Sequence, residues 1–334
     1  MTEPSKPKAT EERLAEIRQQ AADGTLLSGQ PDSSGAKSAQ NGEQSYYGLP
    51  ALKEPTWTWE VPLYFFLGGI AGLSACIAFF AQVFGKDPAL IRAALWMALI
   101  GAGLCPGLLI ADLGRPTRFL NMLRVFKLKS PMSMGAWILV AFSGCAFFAV
   151  ASNELVLVGY GGTFMILFRW AAEFSGVITG FLLAGYTGVL LGATAIPVWS
   201  ENRVVLPPHF LTSGLGCSSG ILELLGFLIP ATQIIGFVVS GLETLLGISF
   251  AVRKRPANRP LHSGRLGVMF SAAEILEGPL ALGVRIFAGS SANGRHAAAI
   301  CFIVGALLSR YAWIWAGRVS ARDPQAYFET QRQS

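Results

Sequence analysis

The sequence predicts an all-α integral membrane protein of about eight transmembrane helices, and three observations carry that expectation. Of 334 residues, 52% are hydrophobic and only 14% are charged, where a soluble domain carries about 25% charged residues. The mean hydropathy is positive. Eight mostly apolar runs, each long enough to cross a bilayer as a helix, follow one another at 60–84, 89–111, 134–153, 171–196, 205–228, 230–251, 265–289 and 296–317.

The elements divide the chain in three. Residues 1–55 form a polar tail, with a short helical pattern near 10–22 and then a tract rich in Ser, Gly and Gln. It has no apolar core of the kind a secretory signal needs, so it is expected to be disordered or to order on a partner subunit. Residues 56–320 hold the eight spans, and 321–334 form a short polar end. The fifth and sixth runs are separated only by the turn "LIPAT", and the seventh reads as the most polar. Several runs contain Gly and Pro, which membrane helices tolerate.

Charge gives the expected orientation, since Lys and Arg near helix ends favour the cytoplasmic side. With eight spans the two termini share a side. That side carries Arg115, Arg118, Arg124, Lys127 and Lys129 after the second run, Arg203 after the fourth, and Arg253, Lys254, Arg255 and Arg259 after the sixth. The other side has mainly Lys86, Arg92, Arg169 and Arg295. Both termini are therefore expected in the cytoplasm. The basic excess is read as topology and docking, with membrane lipid around the protein and no nucleic-acid partner.

The ligand inventory excludes common redox centres. The five cysteines, Cys76, Cys105, Cys145, Cys217 and Cys301, fall in five different runs. No cluster spacing and no haem-attachment motif results; packing is their expected role. The three histidines are His209, His262 and His296, and they supply no paired ligands from within a bundle. No haem and no iron–sulfur cluster is expected in this chain. His209 is read as a solvated or capping side chain, with a quinone ligand as the alternative.

Ionisable groups at membrane depth are costly and point to function. Glu60 and Asp112 stand at span ends. Glu173 follows Arg169 by four positions, which suits a helix-end pair. Glu223, Glu243, Glu274, Glu277, Arg285 and Arg310 lie within the last four runs. Glu274 and Glu277 share a helix face. Arg285, eleven positions after Glu274, returns to nearly the same azimuth at about 100° per residue. These three residues predict one polar stripe facing the interior. Glu223, Glu243, Glu274, Glu277 and Arg285 are candidates for a proton path or polar pocket wall; the other reading is ion pairing that holds helices together.

The most informative stretch is "IADLGRPTRFLNMLRVFKLKSP", where an apolar run ends in Asp112 and a basic ribbon follows. With "WTWEVPLYFFLGGIAG" at 57–72, "DLGRPTRFLNMLRVFKLKSPMSMGAW" at 112–137, "GYTGVLLGATAIPVW" at 185–199 and "SRYAWIWAGRVSARDP" at 309–324, the sequence resembles the NrfD/PsrC family. These are the polysulfide-reductase-type membrane subunits of bacterial respiratory complexes. The resemblance implies an eight-helix core in two four-helix bundles, in the bacterial inner (cytoplasmic) membrane. It implies a quinone, menaquinone or ubiquinone, bound near the face that docks a ferredoxin-like [4Fe–4S] subunit. Beyond that subunit stands a molybdopterin or other catalytic subunit. Tyr186 of "GYTG" matches the family's quinone-binding tyrosine. Tyr64, where the family pattern has a histidine, lies one turn after Glu60, and with Asp112 they complete the expected quinone set. Arg115 is placed to pair with Asp112. Arg115, Arg118, Asn121, Arg124, Lys127 and Ser130 are the expected docking residues; their ribbon interleaves Phe119, Leu120, Met122 and Phe126, which suits an interface. Trp57 and Trp59 either line the pocket entrance or belong to an interfacial aromatic belt.

Two other classes compete with a quinone-reactive subunit that exchanges electrons with a cluster-bearing partner, with or without proton translocation. A proton-coupled transporter is expected to show internal repeats and broken helices at mid-membrane, and no clear repeat is present. A passive anchor without quinone chemistry fits less well with Tyr186 and Asp112 in place.

Overall fold

The computed structural model describes residues 52, 54–113, 123, 124, 126, 127, 130–252 and 255–323. The polar tract 1–51 lies outside the described residues, as do Arg115, Arg118 and Asn121.

Among the described residues the elements are α1 (Glu60–Val83), α2 (Pro88–Asp112), α3 (Pro131–Leu157), α4 (Thr163–Gly192), the short α5 (Pro197–Glu201) and α6 (Leu206–Leu224). They continue with α7 (Pro230–Val252), a short 3-10 turn, the single turn α8 (Arg259–His262), α9 (Gly264–Ile275), α10 (Ala281–Ala288) and α11 (Ala292–Ala321). A π-helical turn, Leu276–Leu280, joins α9 to α10. Among the described residues, seven helices are long and apolar enough to cross a membrane: α1 to α4, α7, the continuous segment Gly264–Ala288, and α11.

The fifth expected span is also a helix, α6, but it stands outside those seven. His209, Thr212, Ser213, Ser218, Ser219 and Glu223 lower its hydropathy, and all but Thr212 are buried. Among the seven, the seventh run, Gly264–Ala288, is the least apolar, as expected. An element wrapped by protein need not be apolar all round. Lipid-facing polarity is what the bilayer penalises.

The helix starts follow simple chemistry. Asp87 caps α2 by accepting from the Ala89 amide at 2.9 Å, and proline occupies the first turn of α2, α3 and α6, where its missing N–H is no loss. Ser291 caps α11, accepting from the Gly294 amide at 3.0 Å.

Two groups of four pack together, α1 to α4 and then α6, α7, α9–α10 and α11, with α6 seated against α1 and α4. Close backbone approach makes the joints. Gly72 of α1 lies so near Gly180 of α4 that a Cβ on either would strike the other's backbone, and Gly69 meets the Gly214 backbone of α6. Small residues at such crossings are how membrane helices gain dispersion contact without a hydrophobic driving force. Aromatic packing fills the end nearest Asp112. Trp199 of α5 donates Nε1–H to the Trp313 carbonyl at 2.8 Å and stacks on Trp57 at 5.3 Å. Large apolar side chains such as Phe80, Phe147, Phe148, Phe164 and Phe287 point outward, where hydrocarbon takes the place of water.

Connectivity sets two ends. The Asp112 end holds Glu60, Pro131, the last turns of α4, α7 and α11, and the first turn of α6. The Asp87 end holds Lys86, Glu154 and the first turns of α7 and α11; there Arg92 pairs with Glu154 at 2.7 Å.

Candidate functional site

Tyr186 sits two turns from the end of α4 and is 9% exposed. Its ring lies against Gly135 of α3, where a Cβ would overlap it, and its hydroxyl donates to the Pro131 carbonyl. Beside it opens a cavity of about 480 Å³ lined by Pro131, Met134, Ile138, Phe181, Leu182, Gly185, Tyr186, Val189, Pro207 and Leu211. The lining is apolar but for the tyrosine hydroxyl and backbone groups, the pattern of a small-ligand site with few orienting groups.

The other three residues of the expected quinone set separate into two places. Tyr64 is buried within electrostatic reach of Tyr186 and Cys105. Glu60 and Asp112 meet outside the cavity, through Thr58. The Thr58 hydroxyl donates to Glu60, and the Thr58 amide reaches Asp112 Oδ1 at a long 3.4 Å. Neither carboxylate lines the Tyr186 cavity. Trp57 is packed on Trp199 and edge-on to Phe65, a core position instead of a belt. Trp59 is exposed, and its carbonyl accepts from the Tyr311 hydroxyl at 3.1 Å. The expected Asp112–Arg115 pair lies outside the described residues. Of the docking set, Arg124 and Lys127 are exposed. Ser130 is half-buried at the α3 N-cap, its amide donating to the Lys127 carbonyl at 3.0 Å. Phe126 is exposed beside Trp137.

Glu277 and Arg285 are buried, and Glu274 and Arg285 both lie against α7, on Gly247 and Gly236, as the expected single polar stripe on the seventh span requires. Arg285 turns to Glu223, giving two hydrogen bonds of 3.1 and 2.8 Å. Arg295 also holds Glu223, at 3.1 and 2.7 Å, and reaches Thr232 and the Ile229 carbonyl. About three helical turns separate Glu274 from Arg285, so one stripe reaches two networks at different depths; the π turn with Pro279 inside it lies between them. Arg295, expected in a loop opposite the termini, is 6% exposed because the first turn of α11 is already covered. The Arg285 guanidinium lies on Gly236, where a side chain would collide with it. His296 adds a contact to the Glu223 carbonyl at 3.0 Å.

Glu243, Glu274 and Glu277 form a second group, nearer the Asp112 end, and His209 belongs to it. The reading of His209 as solvated or capping is corrected. It is fully buried, with Nδ1 2.7 Å from Glu243 Oε2 and Nε2 2.9 Å from the Ser309 hydroxyl. It starts an apolar run, which reads as an interface position, but α7 and α11 cover it. Thr212, one turn on, donates to Glu243 Oε1. Glu277 is 1% exposed, and neither of its carboxylate oxygens has a hydrogen-bond partner. Arg310 lies 3.8 Å over the Phe210 ring and donates to Ser213 at 2.6 Å and the Phe210 carbonyl at 3.2 Å; it acts on Glu277, Glu243 and Glu274 through space. Arg169 and Glu173 pair at 3.8 Å, as their four-residue spacing predicts.

Gly135, Thr58, Thr212, Ser309 and Tyr311 do not stand out in the sequence. Only Thr212 carries a signal there, as the residue one helical turn after His209.

Long apolar helices enclosing two buried ionic networks, with an apolar cavity at one end, define a multi-pass membrane protein whose polar chemistry faces its own interior. The chain belongs to the polysulphide reductase NrfD family, whose model matches residues 50–319. It is 31% identical over 195 residues to the C subunit of the polysulfide reductase of Wolinella succinogenes, a match covering 53% of this protein and 60% of that relative.

Proposed function

We propose that the chain is the quinone-reactive membrane subunit of a respiratory oxidoreductase. In this reading it exchanges electrons between the quinone pool and a ferredoxin-like [4Fe–4S] subunit, which serves a molybdopterin or other catalytic subunit. The complex would lie in the bacterial cytoplasmic membrane with both termini of this subunit inside. Family membership supports the reading, and the observation that carries it is the Tyr186 cavity. It opens at the end of the bundle from which the basic ribbon leaves, so a bound ring would lie close to any partner docked on Arg124 and Lys127.

A quinol supplies two electrons and two protons when it is oxidised. The protein's part is to orient and to take protons. The Tyr186 hydroxyl spends its one hydrogen on the Pro131 carbonyl, so its oxygen is free to accept from a quinol hydroxyl. Gly135 fixes the ring that presents it. The apolar lining keeps water from the ring faces. Glu60 and Asp112, joined through Thr58 at the same end of the bundle, would take protons on toward the aqueous side.

A second reading concerns protons in the other bundle. His209, Glu243, Glu274 and Glu277 form a group with unfilled hydrogen-bonding capacity, suited to proton exchange from the Asp112 end. Glu223 is saturated by two guanidinium groups. The five candidates of the proton path thus act as two separate units: an exchangeable half and a clamped half.

The test of the main reading is Tyr186→Phe in the assembled complex. Loss of one hydrogen bond of about 1–1.5 kcal/mol corresponds to roughly tenfold slower quinone-linked turnover, with partner copurification unchanged. Turnover equal to wild type would remove Tyr186 from the site.

A further inference from the structure

The group around His209 has a charge imbalance that its protein neighbours do not resolve. Three carboxylates, Glu243, Glu274 and Glu277, share this interior with one guanidinium, Arg310. Arg310 offsets one of them, and two negative charges remain. Uncompensated charge in a low-dielectric interior is strongly unfavourable, so the folded state needs either two bound protons or one divalent cation.

The donor set favours the cation. The ligand atoms of His209, Glu243 and Glu277 lie within 4.8 Å of one another. A tetrahedral ion with bonds of about 2 Å separates its donors by roughly 3.3 Å, which side-chain movements of about an ångström would supply. His209 Nδ1 and Glu243 Oε2 lie 2.7 Å apart, and in the tautomer in which Nε2–H donates to Ser309 both turn lone pairs to the same point, where an ion can sit. Thr212 orients Glu243 from behind, as outer hydrogen bonds commonly orient metal ligands. Glu277 has two buried oxygens and no protein partner for either. A cavity of about 280 Å³ is lined by Thr244, His262, Ser271 and Glu274, among others, and Glu274 acts electrostatically on both His209 and Glu243.

We propose that His209, Glu243 and Glu277 form a binding site for a divalent cation of the zinc class, reached past Glu274. One imidazole and two carboxylates suit zinc or manganese better than magnesium or calcium, which prefer all-oxygen shells. Cation binding here does not depend on quinone chemistry.

The experiment uses the intact complex in mild detergent, stripped with chelator and titrated with zinc chloride. Bound zinc is counted by elemental analysis, and its ligands are read by X-ray absorption. One zinc per copy of this subunit, beyond any in the partner subunits, is expected, with a nitrogen and oxygen shell that includes one imidazole. Glu277→Gln and His209→Gln should each weaken that binding at least tenfold, while Glu173→Gln, a buried carboxylate elsewhere, leaves it unchanged. The absorption measurement on wild type decides the matter if a variant fails to assemble. No additional zinc in wild type, a shell without imidazole, or affinity unchanged in both ligand variants would overturn the site and leave two protons as the neutralising charge.

Discussion

Tyr186 and Gly135 show how a single hydrogen atom in place of a methyl group can set a site. The tyrosine ring occupies the volume a Cβ on Gly135 would need. Gly135→Ala is therefore expected to push the ring from its place and detach its hydroxyl from Pro131. Quinone-linked turnover should fall by at least the tenfold expected of Tyr186→Phe, with the helices still inserted; a steady-state assay on purified complex checks this, and an unchanged rate would show that the ring has room to give. Glu223 makes the opposite point, because its contribution is paired charge. Removing it as Glu223→Ala leaves Arg285 and Arg295 facing each other without a counterion. Breaking a buried pair in this way costs about 3–5 kcal/mol, so a clear drop in thermal stability of the detergent-solubilised complex is expected. Neither role is legible in the sequence. A glycine in an apolar run looks like any other until the helix opposite is known, and Arg295 looks like a loop residue because nothing local reveals that α11 begins under cover.

At the scale of elements, position along the helix decides which residues meet. Arg285 returns to the side of Glu274, since both lie against α7, but eleven residues of rise, about 16 Å, bring it to Glu223 on α6. Periodicity reads the face; which partners on other helices stand at each depth is set by the packing. The ends of the elements are tied as well. Arg322, at the close of α11, donates to Glu54 before α1 at 2.6 and 2.9 Å, and this hydrogen bond holds the Glu54 carboxyl below its ordinary value. A depressed carboxylate contributes stability above its unfolded pKa and loses it as pH falls through the folded pKa. The pair is exposed, so the effect is small. Glu54→Gln is expected to lower thermal stability slightly at neutral pH and to have no effect once the pH is well below 4, the range where free glutamate protonates. A difference that persists in acid would mean that the contact acts through packing.

Across the whole molecule, the eight helical segments are legible because bilayer thickness imposes a length and a composition that no tertiary contact can disguise. The partition of the polar residues is not, because it depends on which helix faces which. His209 is misread for that reason: its place at the start of a run says interface, and only the packing of α7 and α11 over α6 says interior. The outcome is an electrically lopsided bundle. Among the described buried residues, three carboxylates face one arginine toward the Asp112 end, and two arginines hold one carboxylate toward the Asp87 end. On the readings proposed above, a positive charge entering from the Asp112 end, whether proton or divalent cation, would be drawn as far as Glu277 and would then meet a repulsive potential. It would sample only part of the voltage across the membrane, where a full crossing corresponds to about 2.3 kcal/mol per charge per 100 mV. Charge uptake at Glu277 is therefore expected to respond to imposed voltage more weakly than one full charge crossing. Turnover of reconstituted vesicles under a potassium-diffusion potential measures this, and a full-charge voltage dependence would mean that the arginine clamp opens during the cycle.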